Sequence, residues 1–331
     1  MFNIDTYQHL QLTYLIADEN DGYGCLITCC KFKALLENPQ LKQHKIPNLD
    51  QALPILNTNN RFMQPLKTFL VLCICMCNLS AQSQKQSANP IKSRKMQLVW
   101  SDEFNYTGLP DTQKWNYDIG GWGWGNNELQ YYTKDSLSNA SVAKGLLTIT
   151  LKKQAIEGKQ YSSARLVTKG KGDWIYGRID VRAKLPKGLG TWPAIWMLGS
   201  ANPLKWPDDG EIDIMEHVGY NPGTVHATVH TKSFNHVIGN QKTSTISVPD
   251  FDKKFHVYSV IWNQDSVNIL LDNASYYSFK NRGTGKDAWP FDAPMHLLLN
   301  IAFGGNWGGK EGINDAILPA KMEIDYVRIY Q

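Results

Sequence analysis

The sequence predicts an all-β domain, a sandwich or jelly roll of many short strands, over residues 96–331. Three observations carry this. Short β-branched or apolar-alternating runs recur along that stretch, as strands with one buried face require. Gly, Pro, Asn and Asp cluster between the runs as turn signals. A long apolar stripe of 3.6-residue period, the mark of an amphipathic helix, is missing; only the piece near Trp192–Leu198 reads both ways.

The elements follow in order. Gln97–Trp100 opens the domain, followed by Leu146–Lys152 and Gly177–Lys184. Glu211–Glu216, Val225–His230, His256–Trp262, Ser266–Asp272 and His296–Ala302 alternate or are continuously apolar. Met322–Tyr330 closes the domain with clean alternation, one residue before Gln331, so a single compact domain is expected.

Composition sets the boundary. All 11 tryptophans lie at Trp100 or beyond, and all six cysteines at Cys77 or before. Met63–Ala81 reads as a signal peptide: Lys67 gives a positive start, Phe69–Cys77 a short apolar run, and Ser80-Ala81 a small-residue cleavage site. That run is too short for a comfortable bilayer span of about 20 residues. Residues 1–62 are expected to be a mis-translated upstream segment with Met63 the true start, and 82–95, rich in Ser, Gln, Lys and Asn, a linker. The first 81 residues hold six basic and six acidic side chains, leaving 28 against 24 of the totals of 34 and 30. So small a surplus, without a Lys/Arg run, gives no reason to expect nucleic acid or an anionic membrane as partner.

The segment Gly210-Glu-Ile-Asp-Ile-Met-Glu-His217 concentrates chemistry. On a strand Glu211 and Asp213 share a face while Ile212 and Ile214 point into the core. Strict alternation would bury Glu216 among apolar side chains, a costly place for a charge. A one-residue bulge around Met215 restores it to the face of the other two acids. Two glutamates so placed can approach the spacing of a retaining glycosidase, about 5–5.5 Å between carboxyls. Three neighbouring carboxyls cannot all ionise easily, so one is expected to stay protonated as general acid.

Glu-x-Asp-x-x-Glu, preceded by Gly190-Thr-Trp-Pro-Ala-Ile-Trp-Met-Leu-Gly199, resembles the laminarinase-like members of glycoside hydrolase family sixteen. Trp124–Thr133, Ser163–Leu166, Tyr176–Asp180, His296–Gly309 and Ile324–Tyr330 extend the resemblance over essentially all of 96–331. It implies a concanavalin-like β-jelly roll, two curved antiparallel sheets with a concave substrate cleft. It implies Glu211 as nucleophile, Glu216 as acid/base and Asp213 as assisting carboxylate. It further implies Trp192 and Trp196 as sugar-stacking residues, Asn126 and Arg165 as hydroxyl binders, and His230 as a cleft residue. A salt bridge is the plain alternative for Arg165; Trp206 and Trp307 stay undecided between cleft and core. His226 and His230 lack the companion ligands of a zinc pattern.

No cofactor is expected for catalysis. The resemblance also implies a structural Ca²⁺ on the convex side, with Glu103, the Gly145 carbonyl and Asp325 at the matching positions and an ion-free salt-bridge role as the alternative. The expected activity is that of a secreted enzyme, extracellular or periplasmic, an endo-acting retaining hydrolase of β-1,3-glucan. The partner is β-glucan, with no membrane once the signal is removed, and the protein a monomer. Mixed-linkage glucan or a red-algal galactan are the substrate alternatives. A non-catalytic carbohydrate-binding protein on the same fold should have lost one of the two glutamates.

Overall fold

The computed structural model describes residues 96–331. The expectations for 1–62, 63–81 and 82–95 lie outside the described residues. The strands run in order as β1 (Leu98–Asp102), β2 (Asn116–Tyr117), β3 (Gln130–Tyr132), β4 (Ala140–Ala143), β5 (Leu146–Ile156) and β6 (Lys159–Ser163). There follow β7 (Arg165–Val167), β8 (Asp173–Trp174), β9 (Gly177–Lys184), β10 (Thr191–Gly199), β11 (Glu211–His217) and β12 (Thr224–His230). The last are β13 (Lys242–Ser247), β14 (His256–Trp262), β15 (Ser266–Leu271), β16 (Ala274–Lys280), β17 (Met295–Phe303) and β18 (Ala320–Tyr330).

They build the two-sheet jelly roll that the alternation predicts. A ten-stranded sheet has the path β16-β15-β14-β9-β18-β5-β6-β3, with β1 on β18 and β4 on β5. An eight-stranded sheet has the path β13-β12-β11-β10-β17-β7-β2, with β8 on β17. The first and last strands pair antiparallel, Ser101 facing Arg328. One core lies between the sheets: Val181, Val260 and Ile324 from one face meet Met197, Ile214 and Leu299 from the other. Among the described residues no helix is long and apolar enough to cross a membrane.

β9 and β14 match the expected spans. β1 differs, beginning at Leu98 and continuing to Asp102, whose buried carboxylate accepts from the Trp115 indole at 2.9 Å. The ambiguous Trp192–Leu198 is strand, β10, despite Pro193. Proline removes a ladder donor, but the β10–β11 pairing begins only at Ala194, so no bond to that neighbour is lost. β17 is buried along its whole length because both its faces are covered: Leu297, Leu299 and Ile301 enter the core, and Leu298 packs with Val167 and Leu198 on the opposite face.

Candidate active site

The outer face of the eight-stranded sheet carries a cleft of about 340 Å³. β10 supplies its floor with Trp192, Ala194 and Trp196, and β11 places Glu211 and Glu216 beside them. The register explains the gathering. Leu198 faces Glu211, Trp196 faces Asp213 and Ala194 faces Glu216 across the β10–β11 ladder, and paired residues share a face.

The expected bulge is present. Pairing with β12 slips between Asp213 and Glu216, and pairing with β10 passes from Met215 to Asp213 in one step, leaving Ile214 extra. Ile212, Ile214 and Met215 are fully buried in the core, while Glu211, Asp213 and Glu216 stand on the cleft side. Gly210, at φ +80°, turns the chain into this strand; a Cβ there would lie 2.7 Å from the Pro290 ring.

Burial, and then the charge of Asp213, push the Glu211 carboxyl up to about 8. Burial, and then Glu211, push Glu216 up to about 7. Asp213, 1 % exposed, is held well above the carboxylate range by burial and then by Glu216, while its hydrogen bond with Glu211 pulls the other way. Their surroundings enclose both glutamates, although each keeps some surface on the cleft. Two indoles oppose the shifts. Trp206 Nε1 donates to Glu211 Oε2 at 2.6 Å, and Trp192 Nε1 donates to Glu216 Oε1 at 3.0 Å. Each glutamate thus has one oxygen fixed by an N–H, and the trio holds protons at neutral pH that isolated carboxyls would shed.

The site is thus a run of acids on a bulged strand, clamped by tryptophans in a cleft. The family described as glycosyl hydrolases family 16 matches residues 127–328. The chain belongs to it. The chain is a glycoside hydrolase of this family. A beta-glucanase from Rhodothermus marinus is 49% identical over 274 residues, covering 80% of this chain and 93% of that protein. A glucan endo-1,3-beta-glucosidase A1 from Niallia circulans is 39% identical over 261 residues, which make up 71% of this chain but only 38% of that longer protein. The X-ray structure of the laminarinase from Rhodothermus marinus superposes with a TM-score of 0.70 at 51% identity, covering 72% of this chain and 98% of that one. A second pattern, that of the beta-glucan synthesis-associated proteins SKN1/KRE6/Sbg1, matches residues 40–203 and stops before the acid-bearing strand.

Within this family 16 domain the other expected residues divide. Trp192 and Trp196 both line the cleft. Trp196 Nε1 donates to Asn300 Oδ1 at 2.7 Å, which fixes the plane of its ring. Trp206 joins them as a cleft residue, whereas Trp307 packs edge-on to Trp192 at 5.3 Å as a buttress. Asn126 lines the cleft. Arg165 lines it too. Its guanidinium lies between the Trp124 and Trp196 rings, 4.5 and 4.6 Å from their centroids. Its Nε is 2.9 Å from Asp118 Oδ2, close enough for an ion pair though not aligned as a hydrogen bond. His230 stands beside the acid trio. It sits opposite Glu211 on β12, buried, with Nε2 3.4 Å from Asp213 Oδ2. Donor atoms of Glu211, Asp213 and His230 lie within 4.8 Å of one another, near enough to bracket a cation.

Of the calcium candidates, Glu103 follows β1, which ends opposite Val327, and Asp325 bulges out of the β9–β18 ladder. Oxygen donors suit the ion chemically, but as arranged both carboxylates are taken. Glu103 accepts two bonds from Arg328, each 2.9 Å, and Asp325 pairs with Arg182. Gly145 keeps a left-handed turn at φ +77°.

Several cleft residues escaped the sequence reading. Glu128, 6 % exposed, accepts from Gln130 Nε2 at 2.7 Å and Tyr132 Oη at 3.3 Å; burial above all raises its carboxyl. Tyr132 in turn accepts from Asn300 Nδ2 at 3.0 Å, so a buried chain of bonds runs from Glu128 to the Trp196 ring. Trp122, 68 % exposed, lies against Trp124 at one end of the cleft, over the face of Gly120, where a Cβ would meet its ring at 2.2 Å. Only the block around Asn126–Gln130 hinted at Glu128, and nothing in the sequence paired it with Asn300.

Proposed function

We propose that the protein is an endo-acting retaining glycosidase that cuts β-1,3-glucan. The observation carrying this is the bulged strand that sets Glu211, Asp213 and Glu216 side by side in a tryptophan-lined cleft. The names of its relatives, beta-glucanase and glucan endo-1,3-beta-glucosidase, support the substrate class. Pyranose rings present apolar C–H faces, which indoles stack upon with little loss of side-chain freedom. A cleft open along its length accepts an internal segment of a chain.

The roles follow from chemistry. Glu216, protonated near neutral pH, gives its proton to the glycosidic oxygen as that C–O bond breaks. Glu211 attacks the anomeric carbon, and a glycosyl ester forms on its carboxylate. Before this step Glu211 must lose its proton, and Asp213, hydrogen-bonded to it and with a strongly raised proton affinity, receives it. The Trp206 N–H steadies the resulting charge. Ionised Glu216 then takes a proton from water, whose oxygen displaces Glu211 from the sugar. Two inversions return the original anomer. Proton and nucleophile both come from the chain, so the reaction needs no cofactor.

We further infer that the enzyme works outside the cell as a monomer; the Met63–Ala81 pattern supports export. The test is incubation with laminarin, lichenan, agarose and carrageenan, with products sized and the first-formed anomer read by proton NMR. Laminarin should yield short oligosaccharides whose new ends appear first as β anomers. No release from any of the four, or α anomers first, refutes the assignment.

A further inference from the structure

Beyond the catalytic cleft, a larger cavity of about 710 Å³ opens at the side of the sandwich. It lies where β13, the edge of the eight-stranded sheet, comes beside β16, the edge of the ten-stranded one. Aromatic rings make its floor: Phe279 stacks on Trp289 at 5.6 Å with planes 17° apart, and Phe234 meets Phe279 edge-on at 6.0 Å. Three cations ring it, Lys242, Lys280 and Arg282. Lys242 Nζ stands 4.4 Å from the Phe234 centroid. Among the described residues none of the three has a carboxylate partner. The nearby Asp287 is occupied by Lys232 at 3.3 Å.

We propose that this cavity is a second carbohydrate site, for a stretch of anionic polysaccharide carrying carboxylate or sulfate groups. Flat apolar rings bind the C–H faces of sugars, and the hydroxyl of Ser278 beside them offers a partner for sugar hydroxyls. The three uncompensated cations have no use for a neutral glucan. Lining one cavity, they draw a polyanion together, and that attraction weakens as salt screens it. The segment from Thr231 to Gln241 separates the two sites: Phe234 and Gln241 line this cavity, and His236 and Val237 line the catalytic cleft. A chain held here would keep the enzyme on a mixed, charged polysaccharide matrix while the cleft works on neutral glucan beside it.

The test is calorimetric titration of the purified protein, as its Glu211→Gln variant with the cleft saturated by laminarihexaose. The probes are hexagalacturonate for carboxylate, a κ-carrageenan hexasaccharide for sulfate, maltohexaose as neutral control and hexaglutamate as an acidic peptide. At least one anionic sugar should bind with a Kd of about 1 mM or tighter, with the stronger identifying the anion. Lys280→Ala with Arg282→Ala should weaken it at least about tenfold, as should about 0.5 M salt, and in the otherwise wild-type chain leave laminarin hydrolysis unchanged. Should that pair impair folding, Lys280→Gln alone should weaken binding in the same direction. Binding of neither anionic sugar, equal binding by the substituted protein, or hexaglutamate binding as tightly as the sugars overturns the proposal.

Discussion

Replacing Glu211 by glutamine should make the protein more stable as it becomes inactive, and the gain should grow with pH. Gln keeps an oxygen to accept the Trp206 N–H and gains an amide that can donate to Asp213, so it imitates the protonated glutamate. In the folded protein Glu211 holds its proton to about 8, against an ordinary 4.5. Between those values the folded state binds more protons than the unfolded one, so wild-type stability falls as pH rises. The difference is present below 4.5 as zero and complete above about 8, accumulating about 1.4 kcal/mol per pH unit. At pH 7 the variant should therefore lead by about 3 kcal/mol, with a ceiling near 5 kcal/mol at pH 8–9. For a domain of this size about 3 kcal/mol corresponds to roughly 6–12 °C in Tm. Thermal melts of both proteins at pH 5, 6, 7, 8 and 9 measure it. A Tm difference that stays flat from pH 5 to 9 would refute the claim that the acids are buried with shared protons.

Trp206→Phe removes the N–H that favours the charged form of Glu211; the acid limb of the kcat/KM profile should move to higher pH and turnover fall about tenfold, the worth of one charge-assisted hydrogen bond. Trp192→Phe does the same to Glu216, so the alkaline limb should shift upward, read from the same profile. Trp196→Ala should raise KM for laminarin about tenfold or more while kcat changes less, since a stacking face is lost and not a proton. Tyr132→Phe breaks the bonds to Glu128 and Asn300; it should mimic a weaker Trp196→Ala in KM and lower Tm by a few degrees, about 1 kcal/mol.

Much of the fold was legible because strand alternation is local. β9, β14 and β18 could be read from a handful of neighbouring residues each, and so could the acid trio, since Glu211, Asp213 and Glu216 lie on one strand and the cost of burying Glu216 dictates the bulge. Short strands such as β2, β7 and β8 were not, because two or three residues carry no period and exist only as partners of β17 and its neighbours.

The amino-acid sequence by itself determined the sandwich, the face on which the acids stand and the reaction class they imply. The tertiary structure decided how those acids are held. Trp206 was undecided until the loop before β11 folded its indole onto Glu211, and Tyr132 finds Asn300 across 168 residues of chain. Arg165 met two tryptophans and Asp118, and His230 came to lie beside Asp213. Proton affinity belongs to this second class for a physical reason: it depends on what excludes water from a carboxyl and on which charges stand within a few ångströms, and both are fixed only when distant strands pack.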